Sequence, residues 1–345
     1  MKLRTAILIL TLGVTSATTT IAQDQGSSLQ PSTALATPGF HHLHLNSTNP
    51  EAAIDFYVKN FPSTSKSTFG GQPALKAGGV YVLFTKVSAP PALAPQTAFW
   101  HFGWHVTDER ADLKRFQEIG TKLLPLYTGD GDGFVWINAD TWPGGGGPGG
   151  ALGRTKAQIA EAKEKGIQPT HAPAGFAYIG GPDGAMIEYQ GNMPAERFNH
   201  VHMYQDDPFC AQLWYQKHLN VKPNGRGPQY TEANCKVEPG TEKSWPALEK
   251  DGMFRVPSAG VAFTDAAQQP VTMQWYVRQD NNPLAPTRGH LADHVGLSVT
   301  DLDGWVAKLK AENVKFLMQP YKVGDFRAVM IEGPSREALE LIEIK

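Results

Sequence analysis

The sequence lacks the marks of several protein classes. Of its 345 residues only Cys210 and Cys235 are cysteines, so one disulfide at most is available, and a pair of free, partly buried thiols is the alternative. Neither sign of charge is in surplus. The 31 Lys and Arg against 33 Asp and Glu leave a formal net charge of -2, which offers no basic field for nucleic acid or anionic lipid. The apolar run near the start, from about Ala6 to Val14, falls short of the roughly 20 residues that span a bilayer. The glycine-rich stretch after Trp142 lacks the Lys-Ser/Thr ending of a phosphate loop, and Asp130 and Asp132 begin a calcium-loop pattern that no Glu closes.

A hydrophobic fraction of 41% and a charged fraction of 19% describe an ordinary folded chain. Because single cores stop growing at roughly 250 to 300 residues, two domains are expected. Lys2 and Arg4, the apolar run and the small residues ending at Ala22 have the layout of a secretory signal peptide over residues 1–22, with an uncleaved anchor as the alternative. Residues 23–38, rich in Ser, Thr, Gln and Pro, read as a flexible leader. A periplasmic or secreted protein, free of the membrane after cleavage, is the expectation.

Four segments share one layout: an alternating strand that contains His, an Asp or Asn seven residues later, then an amphipathic helix. They run from His42 to Asn49, His101 to Asp108, His200 to Asp207 and His294 to Asp301. Asn49 and Asp207 precede Pro, a strong helix start because the side chain caps and Pro at the first helical position gives up no needed N–H. The apolar faces predicted for the helices are Ala53, Ile54, Tyr57 and Phe61; Leu113, Phe116 and Ile119; Leu213, Trp214 and Leu219; and Val306, Leu309 and Val314. Further strand-like runs follow each helix. One such module cannot bury its sheet face alone, so modules should pair: the first two within residues 39–195 and the last two within 196–345.

With these motifs, and with Gly181-Pro-Asp-Gly-Ala-Met-Ile-Glu188 ending the second module, the chain resembles the vicinal-oxygen-chelate superfamily of glyoxalases, bleomycin resistance proteins and extradiol dioxygenases. The resemblance implies an α+β fold of four βαβββ modules, paired into two domains with curved mixed sheets. It also implies a divalent metal, Fe(II), Mn(II), Zn(II) or Ni(II), held by His42, His101 and Glu188 in the first domain and by His200, His294 and Glu340 in the second. The second set departs from the pattern, since Ser335 and Arg336 replace the Asp-Gly turn, and Glu332 and Glu343 compete with Glu340.

Two imidazoles and a carboxylate leave coordination positions open for a chelating substrate. The implied activity is therefore that of a lyase, isomerase or ring-cleaving dioxygenase on a small molecule with vicinal oxygens. A non-catalytic binding protein of the bleomycin-resistance type is the alternative. Export counts against a glutathione-dependent lyase and is awkward for ferrous iron. Tyr178, ten residues before Glu188, matches a dioxygenase Tyr that bonds substrate oxygen, and His171 falls near an acid-base His of those enzymes. His44, His105 and His202 share the strand face of the expected ligands and are candidates for proton transfer or substrate binding. The insertion at about 127–174 suggests a lid or substrate wall. A monomer or homodimer is expected, with a small-molecule substrate as the partner.

Overall fold

Each module begins with its histidine strand and passes at once into a capped helix. The first comprises β1 (Gly39–Ser47), α1 (Pro50–Asn60), β2 (Thr64–Phe69), β3 (Gln72–Ala77) and β4 (Val80–Lys86). The second comprises β5 (Phe99–His105), α2 (Glu109–Glu118), β6 (Leu123–Thr128), β7 (Trp136–Asn138), β8 (Phe176–Gly180) and β9 (Met186–Gln190). The third comprises β10 (Arg197–Gln205), α3 (Pro208–Leu219), β11 (Lys222–Pro223), β12 (Lys243–Trp245), β13 (Phe254–Thr264) and β14 (Pro270–Val277). The fourth comprises β15 (Ala292–Val299), α4 (Leu302–Ala311), β16 (Phe316–Val323), β17 (Phe326–Glu332) and β18 (Ala338–Glu343).

This computed structural model describes residues 35–128, 136–138, 160–161, 164–166, 175–224, 230–245, 254–278 and 282–345. The expected signal peptide, all of the leader but residues 35–38, His171 and most of the insertion at 127–174 lie outside the described residues. Among the described residues no helix is long and apolar enough to cross a membrane.

The α+β class and the four modules match the expectation, but the pairing of modules does not. An eight-stranded sheet has the order β16-β17-β18-β15-β1-β4-β3-β2, which joins the first module to the fourth. A ten-stranded sheet has the order β11-β13-β14-β10-β5-β9-β8-β6-β7, with β12 beside β13, and joins the second module to the third. The seams are antiparallel: β1 runs against β15, with His44 opposite His294, and β10 against β5, with His202 opposite His101. Only six residues (191–196) link β9 to β10, whereas twelve (87–98) link β4 to β5, and short links favour spatial neighbours.

The first two modules still touch, through apolar packing. Phe61, at the end of α1, stacks on Trp104 of β5 with ring centroids 4.3 Å apart. Phe40 packs on Phe198 and Phe102 on Phe198, so one core runs between the two sheets. Leu43 and Leu45 of β1 and Val201 and Met203 of β10 point into that core. Alternation then sends His42, His44, His200 and His202 to the opposite faces. In the eight-stranded sheet the two ends approach each other, with Phe69 of the edge strand β2 stacked on Phe326 of β17, next to the other edge, at 4.6 Å, so the sheet wraps around its histidines.

Asn49, Asp108 and Asp301 cap their helices through side-chain acceptors, as their positions predict. Asp207 makes no side-chain cap. Its carboxylate instead accepts the Val237 N–H at 2.8 Å, near the Cys210–Cys235 disulfide that ties α3 to the following loop. The buried face of α3 is Ala211, Gln212, Tyr215, His218 and Leu219, turned from the expected Leu213 and Trp214.

Candidate metal centres

Module pairing regroups the six expected ligands. His101 of β5, Glu188 of β9 and His200 of β10 converge in the ten-stranded sheet, here the medial centre. Nε2 of His101 lies 3.0 Å from Glu188 Oε2, and Nε2 of His200 lies 3.8 Å from Glu188 Oε1. His42 of β1, His294 of β15 and Glu340 of β18 converge in the eight-stranded sheet, the terminal centre. His42 Nε2 lies 3.4 Å from His294 Nε2 and 3.5 Å from Glu340 Oε2, and His294 Nε2 is 4.0 Å from Glu340 Oε1. The expected sets His42/His101/Glu188 and His200/His294/Glu340 are thus corrected by one exchange of His42 for His200. Glu340 is the ligand candidate of its strand; Glu332 pairs with Lys315, and Glu343 with Arg327.

One structural device makes both clusters. At the two seams a His ring lies across the position of a glycine on the opposite strand. A Cβ on Gly103 would come within 2.3 Å of the His200 ring, and one on Gly296 within 1.9 Å of the His42 ring. His-x-His strands, β1 and β10, therefore pair with His-x-Gly strands, β15 and β5.

The residue before each ligand His sits at a register shift of the seam. A bulge lets neighbours in the chain present side chains to the same face. His41 Nδ1 thereby contacts His42 Nδ1 at 2.8 Å, Asn199 Oδ1 contacts His200 Nδ1 at 3.0 Å, and Asp293 Oδ1 contacts His294 Nδ1 at 2.6 Å. Trp100 takes the fourth such place, its ring 4.2 Å from that of His101, and His101 Nδ1 is buried without a hydrogen-bond partner. The strand pattern alone gave no sign of these supports, because strict alternation would have sent them to the other face.

The donor atoms suit a cation. His101 Nε2 and His200 Nε2 are buried with no hydrogen-bond partner and both stand close to the Glu188 carboxylate, so a cation held among them would satisfy atoms that the protein itself leaves unpaired. Separations of 3.0 to 4.0 Å are what donors show around an ion bound at about 2.0 to 2.2 Å. Burial depresses His101 to about 3 and holds His42 and His200 well below the usual imidazole range, so at neutral pH these rings offer lone pairs. Burial also raises the Glu188 carboxyl, against the pull of His202 and the Tyr178 hydroxyl. His202 joins the medial cluster and His44 the terminal one, each with a ring nitrogen within reach of the other donors.

Tyr178 stands opposite Glu188 on β8, and its hydroxyl bonds that carboxylate. Tyr321 does the same for Glu340 from β16. Burial and the adjacent carboxylate hold both phenols well above their usual range. His105 lies at the end of β5, opposite Arg197, and is not among the residues lining the cavity; burial and that arginine lower it to about 4. The medial cavity, about 440 Å³, is walled by Trp100, Phe176, Tyr178, Tyr276, His202 and Gln274. The terminal cavity, about 310 Å³, has Arg288, Lys322, Tyr321, His44, Asn46 and Gln72 on its walls.

A family model described as the Glyoxalase/Bleomycin resistance protein/Dioxygenase superfamily matches residues 197–341. In solved structures the fold is shared with glyoxalase I from Zea mays, at a TM-score of 0.56 and 13% identity, covering 89% of this chain and 92% of that one. A mutant of the same maize enzyme gives a TM-score of 0.57 at 13% identity, covering 89% and 94%. At that identity the likeness shows the fold alone. No curated protein matches this sequence.

Proposed function

We propose that this chain, which belongs to the glyoxalase/bleomycin resistance protein/dioxygenase superfamily, is a divalent-metal-dependent enzyme acting on a small molecule with two adjacent oxygens. The observation that carries this is the medial cluster: two buried imidazole nitrogens without hydrogen-bond partners, facing one carboxylate beside an open cavity. Fe(II), Mn(II), Zn(II) and Ni(II) all suit such a donor set. A bound ion would polarise the two substrate oxygens and stabilise negative charge that develops on them.

The protein's own groups do the rest. His101, His200 and Glu188 would hold the ion from three strands of one sheet. Tyr178 donates a hydrogen bond to Glu188 and so fixes the carboxylate's direction. Burial lowers His202 to about 3 and keeps its ring neutral, so it can accept a hydrogen bond from a substrate hydroxyl. Trp100, Phe176 and Tyr276 offer apolar walls that seat a planar substrate and exclude water. The complete ligand sets weigh against a sequestration protein. Export belongs to the same proposal, and the Cys210–Cys235 disulfide supports it, since such bonds persist in oxidising compartments.

Reloading the purified protein with each of the four metals, and assaying turnover of catechols and 2-oxoaldehyde adducts, tests the activity. Metal-dependent turnover that falls at least 100-fold in Glu188→Gln is expected. Equal turnover in wild type and Glu188→Gln would refute the assignment.

A further inference from the structure

The two centres share a ligand plan but not a wall. Arg288 and Lys322 line the terminal cavity, and among the described residues no Lys or Arg lines the medial one. Arg288 is anchored on two sides: its Nε lies 3.2 Å from Asp293 Oδ1, the carboxylate that supports His294, and its Nη1 rests on Met330 Sδ. This leaves the remaining guanidinium N–H groups as donors that the anchoring does not use. Lys322 is exposed and adjoins Tyr321, whose hydroxyl holds Glu340.

Charge balance sharpens the contrast. Arg288 and Lys322 offset Asp293 and Glu340, so a divalent ion would leave the terminal site with a surplus of two positive charges. At the medial site a divalent ion would be offset by Glu188 alone, beside walls that are largely aromatic. A cavity of about 310 Å³ is at the small end of ligand sites.

We infer that the terminal centre receives a small oxyanion of the 2-hydroxy- or 2-oxocarboxylate class. Its carboxylate pairs with Arg288 and Lys322, and its adjacent oxygen is turned toward His294 and Glu340. This rests on the metal assignment above. It gives the chain two sites of different ligand class, in place of two copies of one.

Calorimetric titration of the metal-loaded full chain with lactate and with catechol tests it, with ions per chain measured on the same samples. Lactate affinity is expected to fall at least tenfold in R288Q/K322Q and in E340Q, to fall about threefold in K322Q alone, whose side chain is exposed, and to persist in E188Q. Catechol binding should be lost in E188Q and unchanged in R288Q/K322Q. Unchanged lactate affinity in R288Q/K322Q, or its loss in E188Q, overturns the inference. An ion count that does not fall in E340Q overturns the metal assignment instead, so the two failures are distinct.

Discussion

At the scale of single residues, the ligand histidines are only half of each centre. A metal-bound imidazole is oriented by what holds its other nitrogen, and for His42, His200 and His294 that partner is the preceding residue, delivered by a bulge. Asp293 is the strongest of these supports. Burial opposes its charge, yet the His294 bond, the Gly289 N–H and Arg288 hold its carboxyl below the usual range. Asp293→Asn should therefore weaken metal binding at the terminal centre by about 10- to 100-fold while leaving the medial centre as it was, read by competitive titration with a chelating dye. The six ligand candidates followed from the family resemblance that the His spacing and the Glu-bearing last strand carry. Their supports did not, because a bulge breaks the period of two on which strand reading relies.

At the scale of elements, helix starts were readable wherever the cap is purely local, as at Asn49, Asp108 and Asp301. Asp207 deviates because a tertiary partner, the Val237 N–H, takes its carboxylate. The start of α2 holds a carboxyl that no sequence pattern singles out. Glu109 is fully buried, and burial, reinforced by Asp108 and Asp112, raises it to about 8 despite Arg110 and the Tyr189 hydroxyl. A carboxyl raised in the fold is neutral there, so the stability it contributes is present below pH 4.5 and is lost as pH rises through about 8. Glu109→Gln should accordingly leave thermal stability near pH 4.5 almost unchanged and raise it at pH 9, by on the order of 2 kcal/mol. Parallel melting curves at the two pH values check this.

At the scale of the whole molecule, four alike modules can pair in three ways, and periodicity within a module says nothing about which neighbour it chooses. The His-x-His and His-x-Gly strands show that unlike strands must meet, since a ring needs a glycine opposite, but first-with-second satisfies that rule as well as first-with-fourth. Only the six-residue link between β9 and β10 favoured the observed nesting. Module count, fold class and ligand types were therefore within reach of the sequence, while the grouping of ligands waited on long-range strand pairing. Metal content of two double variants, measured per folded chain after saturation and gel filtration, tests that grouping most directly. His42→Ala/Glu340→Gln removes two ligands from one centre and should retain about one ion, whereas His42→Ala/Glu188→Gln strikes both centres and should retain almost none. The reverse result, one ion kept by His42→Ala/Glu188→Gln and none by His42→Ala/Glu340→Gln, would contradict the account.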